Sequence, residues 1–274
     1  MTQPAAAGPR TGPPRLDVFV ISWQGHDDKA RHIAGSIAAG QPADGGLRLS
    51  VIYSNAAEAP QSGAGRWLQL PNACYFGAKF ALALREFDAD VLLLIQADAA
   101  CDDWPALVER CRQRFAQRPK LAMWAPRIDY TPWTPARVDI RPEPLAGLTH
   151  VAHTDGIVLA YAKPLVQRLQ RLDYRDNNIG WGMDWIGICH AYSRGLEVLR
   201  EDALRVLHPR SRGYDTREAT RQWLAFMRQM DPAEQSLFEV LKRYSAEPEA
   251  AMKRLRRWLT RRIRGAARRG RARP

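Results

Sequence analysis

The side chain best placed for chemistry in this sequence is a carboxylate between two tryptophans. Asp184 lies between Trp181 and Trp185 in "NNIGWGMDWIGICHAYSRG" (residues 177–195), just after two glycines and at the start of an apolar helical stretch. A carboxylate there can take a proton from a substrate, and indole rings offer apolar faces on which a sugar can stack. The plainer interpretation is an acid that stabilises the first turn of a helix.

Two further polar residues end apolar segments. Asp98 closes "ADVLLLIQADA" (residues 89–99), the most apolar strand pattern in the chain, and His208 follows another such segment in "VLHPRSRGYD". Asp98 is alternatively a turn residue or the cap of the next helix, and His208 an ordinary loop histidine. Their positions, rather than their residue types, make them candidates for a site.

The elements that position these residues alternate between strand and helix. Apolar, β-branched stretches predict strands at residues 15–23, 47–55 and 89–99, and helical spacing between them predicts helices, one of them at residues 74–87. This alternation predicts an α/β layer with a mostly parallel sheet. Ligands of such sheets bind beyond the carboxyl ends of the strands. The polar residues at those ends are Ser22, Trp23, Ser54, Asn55, Gln96 and Asp98.

The second half of the chain is less regular. Residues 126–148 contain five prolines, which predicts a loop or an edge excursion over the site. We expect a helix at residues 182–194, two short paired strands in "LEVLREDALRVL", and helices from about residue 215 onward.

In order and spacing, these elements and motifs resemble the GT-A fold of nucleotide-sugar-dependent glycosyltransferases, most of all the inverting enzymes of family 2. "LLLIQADA" lies where that family has its DxD motif. "GWGMDW" resembles its acceptor-side acid motif, and "RVLHPRSRGYD" resembles the segment with a late histidine that helps to hold metal or diphosphate. The likeness covers roughly residues 15–215.

The resemblance implies a single GT-A-type (Rossmann-like) α/β domain over residues 15–230. A disordered N-terminus, residues 1–14, would precede it. C-terminal helices with a basic amphipathic tail, residues 231–274, would follow it. The implied activity is transfer of a sugar from a nucleotide-sugar to an acceptor hydroxyl with inversion.

The resemblance also implies a donor site with a divalent metal, Mn²⁺ or Mg²⁺, held by Asp98 and His208. Gln96 departs from the family pattern, because an amide brings no charge to the first DxD position. The metal affinity would then be lower, or Asp102, Asp103 or His208 would share the binding of the metal. Lys79 is either a phosphate contact or a solvated surface lysine. The expected contacts to the nucleotide-sugar come from Ser22, Trp23, Asn55, Lys79, Gln96, Arg210 and Arg212.

On the acceptor side, the resemblance makes Asp184 the catalytic base. Trp181, Trp185 and Asp155 are expected to bind the acceptor, a carbohydrate or glycolipid. Asp155, in "HTDGIV", is alternatively a structural turn residue. Such an enzyme would fit the assembly of a surface polysaccharide or glycolipid.

The net charge of +12 belongs to one end of the chain. Residues 251–274 hold Lys253 and ten arginines with no acid, which leaves 30 basic against 29 acidic residues elsewhere. Met252, Leu255, Trp258 or Leu259, and Ile263 recur there at helical spacing, which favours a basic helix on an anionic membrane surface. A disordered tail or a nonspecific nucleic-acid contact is the alternative; no specific nucleic acid is expected.

Other features of composition point to the cytoplasm, with a peripheral position on the inner membrane face. No stretch of about 18 uninterrupted apolar residues suggests a membrane span, and the N-terminus lacks the apolar core of a secretory signal. The four cysteines form no CxxC pair and match no zinc spacing.

Two other functions compete with glycosyl transfer. A nucleotidyltransferase would have a glycine-rich loop with a basic residue after the first strand, but "SWQGHDDKA" has one glycine. A binding protein with a degenerate site and a docking tail is the second alternative, and Gln96 supports it.

Overall fold

The computed structural model describes residues 12–42, 44–54, 61–143, 146–209 and 213–246. Strands and helices alternate through the first half, as the sequence predicts. The strands are β1 (Leu16–Ile21), β2 (Leu47–Ser54), β3 (Arg66–Leu70), β4 (Val91–Gln96), β5 (Leu121–Ile128), β6 (Asp139–Glu143), β7 (Leu148–Val151), β8 (Val158–Ala162) and β9 (Glu197–Val206). The helices are α1 (Asp27–Ala39), α2 (Phe76–Glu86), α3 (Trp104–Gln117), α4 (Pro135–Val138), α5 (Lys163–Leu169), α6 (Met183–Ser193), α7 (Thr216–Met227) and α8 (Pro232–Ala246).

In the described part of the chain these strands form one sheet in the order β3-β2-β1-β4-β8-β5-β9-β7-β6. Seven of the nine run in one direction, and β7 and β8 run the other way. The α/β prediction is therefore confirmed. The mostly parallel sheet holds for strand direction, but four of the eight pairings are antiparallel, because β7 and β8 each run opposite to both of their neighbours.

The sheet separates two apolar cores. Alternate residues of β1 and β4 face opposite sides, as in any pleated strand. Phe19 and Leu94 join the core that contains α2, α5 and α6, whereas Val18 and Leu93 join the core beneath α1 and α3. Burial on both faces explains why these strands are apolar throughout.

Two predictions for the second half need correction or refinement. "LEVLREDALRVL" forms one ten-residue strand, β9, rather than two short ones, because it pairs with β5 on one side and β7 on the other. A register shift between Pro126 and Arg127 accommodates its length. The proline-rich segment, expected to be a loop or edge excursion, contains the short helix α4 and the edge strand β6.

Helix α8 lies beyond the domain boundary predicted near residue 230, and it packs on the main core. Leu237, Leu241 and Tyr244 of α8 are buried in the same core as α6. The packed unit therefore extends to the last described residue, and the basic tail, residues 251–274, lies outside the described residues, as do residues 1–11. No helix in the described ranges is both long and apolar enough to cross a membrane.

A fully buried carboxylate joins three helices. Glu234 of α8 accepts two hydrogen bonds from the Arg168 guanidinium of α5, each 2.8 Å, and its Oε1 lies 2.7 Å from Nδ1 of His190 on α6. Burial alone would raise the pKa of Glu234, but hydrogen bonds with His190 and Arg168 outweigh it and lower that pKa to about 2.

This cluster is an ion-pair network rather than a metal centre. His190, Asp231 and Glu234 offer ligand atoms within 4.8 Å of one another. Both oxygens of Glu234 are nevertheless occupied by Arg168, a cation already.

We predict that Glu234→Ala lowers the free energy of unfolding by about 3–5 kcal/mol, because it leaves the Arg168 cation buried without its partner. Urea denaturation at pH 7 measures this. Glu239→Ala, an exposed position on the same helix, is the control and should change stability by less than about 0.5 kcal/mol.

The same variants test the pKa of Glu234. A folded pKa below the ordinary 4.5 means that the stabilisation is complete above that pH and declines as the pH falls toward 2. The difference between the two variants should shrink across that interval. A difference that is constant with pH would contradict the assignment.

Candidate active site

Two backbone hydrogen bonds bring the segments after β4 and β9 together. Ala100 N donates to Leu207 O (2.9 Å) and Leu207 N donates to Ala100 O (2.8 Å). As a result His208 Nε2 lies 3.3 Å from Asp98 Oδ2. The two residues selected from distant parts of the sequence therefore meet at the carboxyl edge of the sheet.

The Asp98 carboxylate is mostly buried. Its side chain is 13% exposed, and its buried Oδ1 has no hydrogen-bond partner within the described residues. A buried carboxylate oxygen without a donor is costly, and a cation would remove that cost. A carboxylate oxygen beside an imidazole nitrogen suits a divalent ion such as Mn²⁺.

Gln96 is engaged with the backbone of the strand next to it. Its Nε2 donates to Gly156 O (3.0 Å), and its own backbone N–H donates to Ile157 O (2.9 Å). The amide thus ties the start of β8 to the end of β4. Of the nearby acids, Asp103 caps α3 by accepting a hydrogen bond from Ala106 N (2.9 Å) and is exposed, which leaves it a structural role.

The loop after β1 rests on a buried lysine. Lys79 is 1% exposed, its Nζ donates to Ser22 O (2.6 Å), and it lies 5.7 Å from the Trp23 ring centroid. Burial lowers the pKa of Lys79 to about 8. The expected phosphate contact is corrected accordingly: in this structure the ammonium group supports the loop that carries Trp23.

His26, absent from the sequence-based candidates, lies in the same loop. Its buried Nδ1 has no hydrogen-bond partner in the described part of the chain, and its ring centroid is 5.1 Å from that of Trp23. Burial, and then the nearby Lys29, lower the pKa of His26, whereas the Asp98 carboxylate acts to raise it. The partially buried imidazole is thus near enough to Asp98 for the two groups to interact electrostatically.

Three expected donor contacts lie outside the described residues. They are Asn55, Arg210 and Arg212, and their roles remain predictions.

The loop that leads to Asp184 is held against the start of α2. Asn178 accepts from Tyr75 N (2.8 Å) through Oδ1, donates to Ala73 O (2.7 Å), and accepts from Gly77 N (2.8 Å) through its carbonyl. The two glycines of "GWG", Gly180 and Gly182, have φ of 90° and 94°, which side-chain-bearing residues rarely adopt. The glycines are thus needed for the turn itself.

Asp184 is the second residue of α6, and its side chain is 23% exposed. Its Oδ1 accepts from Trp185 N (2.8 Å), and its Oδ2 lies 3.2 Å from His153 Nε2. A partly exposed carboxylate fixed at a helix start can accept a proton from a bound hydroxyl.

The two tryptophans beside Asp184 have different surroundings. Trp181 is partly exposed, and its Nε1 donates to the Tyr214 hydroxyl (2.9 Å), with the exposed Tyr75 ring beyond it. Trp185 is only 8% exposed and packs against His153 and Phe238. The predicted sugar-stacking role of Trp185 is corrected to a supporting one, because its faces are covered by protein.

His153 was missed in the sequence because nothing local distinguishes it in "HVAHTDG". The segment becomes notable only when it lies at the carboxyl edge, between β7 and β8. Asp155, two residues later and half-buried, lines a cavity of about 180 Å³ together with Tyr130, Trp133 and His153. That cavity lies beside the candidate base.

Comparisons with known proteins bear on the fold. No protein-family model matches the sequence, and no curated protein sequence matches it significantly. Among solved structures, the chain is similar to a mannosyltransferase from Pyrobaculum calidifontis in complex with GDP-Man and Mn²⁺. The TM-score is 0.58 at 14% identity, over 86% of this chain and 70% of that one.

The chain is also similar to GalNAc-T7 with UDP, GalNAc and Mn²⁺. The TM-score is 0.62 at 10% identity, over 87% of this chain. The match spans 52% of the GalNAc-T7 chain, about half its length. These likenesses confirm the GT-A-type fold, and the narrower likeness to family 2 stays a prediction.

We predict that Gly77→Ala lowers the free energy of unfolding by about 1–3 kcal/mol or more. A Cβ there would lie 1.8 Å from the Asn177 carbonyl oxygen, so the loop leading to Asp184 must move. Gly35→Ala is the matched control. It adds a methyl group to an exposed helical position with no atom within 4 Å and should gain about 0.5–1 kcal/mol. Equal stability of the two variants in urea would show that the close approach at Gly77 is absent.

Proposed function

We propose that this protein transfers a sugar from a nucleotide-sugar to an acceptor hydroxyl, with inversion at the anomeric carbon. The observation that carries the proposal is the meeting of Asp98 with His208 at the carboxyl edge of a GT-A-type sheet. The two similar structures named above both contain Mn²⁺, one with GDP-Man and one with UDP. The partly exposed carboxylate of Asp184 adds a proton acceptor.

On the donor side, Asp98 and His208 would hold Mn²⁺ or Mg²⁺. The unpartnered buried oxygen of Asp98 supports this. When bound, the cation supplies positive charge against the diphosphate leaving group. Trp23, on the loop that Lys79 supports, and Asn55 would contact the nucleobase, Gln96 the ribose, and Arg210 and Arg212 the phosphate oxygens.

On the acceptor side, Asp184 takes the proton of the attacking hydroxyl. The acceptor oxygen bonds to the anomeric carbon as the bond from that carbon to the diphosphate oxygen breaks, and the electron pair leaves with the diphosphate. Attack from the face opposite the leaving group inverts the configuration. Trp181 and Asp155 would bind the acceptor sugar, a role that the partial exposure of both side chains supports.

A binding protein without catalysis is the alternative that Gln96 favours, since its amide brings no charge to a cation. A panel of nucleotide-sugars with Mn²⁺ separates the two functions. Turnover indicates an enzyme, and binding without turnover indicates a binding protein with a degenerate site. A nucleotidyltransferase would instead release pyrophosphate from nucleoside triphosphates.

The setting we propose is the inner membrane face, in surface polysaccharide or glycolipid assembly. The eleven basic residues among positions 251–274 support an anionic surface, since the rest of the chain is almost neutral.

We predict that Asp98→Ala abolishes the gain in affinity that Mn²⁺ gives to UDP or GDP, because it removes the only carboxylate of "QAD". Calorimetry of each nucleotide with and without Mn²⁺ measures the gain. Asp28→Ala, a side chain 96% exposed on α1, is the control and should keep it. An unchanged Mn²⁺ effect in Asp98→Ala would refute the metal assignment.

We predict that Asp184→Asn lowers transfer by roughly 10²–10⁴-fold while nucleotide affinity stays at the wild-type value. The amide oxygen can still accept from Trp185 N but cannot take the hydroxyl proton. Asp176→Asn, at an exposed position in the preceding loop, is the control for steady-state kinetics. Undiminished turnover in Asp184→Asn, or a product with retained anomeric configuration, would overturn the role of this carboxylate.

A further inference from the structure

His153 is an unusually placed imidazole. Its side chain is 1% exposed, and its ring lies between those of Trp133 and Trp185, with centroid distances of 4.0 and 4.2 Å. Neither ring nitrogen has a hydrogen-bond partner within the described residues. Burial of two such polar atoms costs free energy that a phenyl ring at the same position would not cost.

The carboxylate of Asp184 is the group that the imidazole faces. Nε2 lies 3.2 Å from Oδ2, at ion-pair distance but without the alignment of a hydrogen bond. The last torsion of an aspartate side chain has a broad energy profile, so a modest rotation aligns the two atoms. The tryptophans on either side leave the imidazole little freedom to turn away.

This contact decides how firmly the carboxylate is held. Oδ1 accepts from Trp185 N within the same helix (2.8 Å), whereas His153 is the neighbour of Oδ2 from outside α6. When both oxygens accept a hydrogen bond, the carboxylate cannot rotate, and its remaining lone pairs keep a fixed orientation. Fixed direction matters because a displacement of about 1 Å can cost roughly 100-fold in rate.

We propose that His153 is a positioning residue for Asp184, with Nε2–H donating to Oδ2 when the acceptor is bound. The inference rests on the proposed function, in which Asp184 takes the acceptor proton. His153 neither gains nor loses a proton in the step. The proton passes from the acceptor hydroxyl to the carboxylate, and the imidazole keeps that carboxylate aimed.

The test is a double-mutant cycle in transfer kinetics. His153→Phe retains a ring between the two tryptophans and removes both nitrogens. It should lower kcat by roughly 10–100-fold and leave the KM of the nucleotide-sugar unchanged. In the Asp184→Asn background the same substitution should cost little or nothing further, because the residue acts through that carboxylate. His153→Gln, whose amide can donate, should recover part of the loss.

The control is His150→Phe. His150 is also buried beside a carboxylate, with Nε2 2.7 Å from Glu143 Oε1, but on β7 away from Asp184. This variant should lose stability and keep kcat.

The outcomes separate the inference from its premise. If His153→Phe lowers kcat by the same factor with and without Asp184→Asn, its role is structural and the inference is overturned while the function stands. If wild-type protein turns over no nucleotide-sugar with any acceptor or water, the proposed function is overturned and the inference with it.

Discussion

The position of α6 depends on a carboxylate that is shielded from water. Glu234 binds Arg168 of α5 and His190 of α6 at once, so the three helices are joined by one buried charge with matched donors. His190 lies toward the end of α6 and Asp184 at its start. The Glu234 cluster therefore holds the end of α6, and the hydrogen bonds of Asn178 to the start of α2 hold the loop before it. The candidate base, Asp184, lies between these two attachments.

The two halves of the candidate site are positioned by different physical means. Asp98 and His208 follow strands of one sheet, and the backbone bridge between Ala100 and Leu207 brings them together. Asp184 depends instead on side-chain hydrogen bonds and on glycines in the left-handed region. The first pair of candidates thus depends on strand pairing, and the candidate base depends on a hydrogen-bonded loop before α6.

Buried polar atoms without hydrogen-bond partners lower the local stability at the carboxyl edge of the sheet. Within the described residues, six buried side-chain nitrogen and oxygen atoms have no hydrogen-bond partner, and four of them belong to His26, Asp98 and His153. Buried polar groups are otherwise almost always satisfied. Such atoms are expected at a preorganised site, where ligand groups or, for His153 Nε2, the Asp184 carboxylate supply the missing partners.

The sequence by itself predicted the elements of the first half and singled out Asp98, Asp184 and His208 as candidates. Those inferences rest on local patterns: a strand buried on both faces is apolar throughout, and a polar residue directly after it lies at the sheet edge. Even the glycines of "GWG" were visible as a turn before a helix.

Only the tertiary structure decided which elements meet. The reversal of β8, the burial of Lys79 and Trp185, and the contact between His153 and Asp184 depend on strand order and helix packing. The periodicity of a segment can be read from its own residues, but its neighbours in the fold cannot. Those neighbours depend on the packing of surfaces that are far apart in the chain. For that reason the histidine in "HVAHTDG" gained significance only from the tryptophans and the carboxylate that surround it.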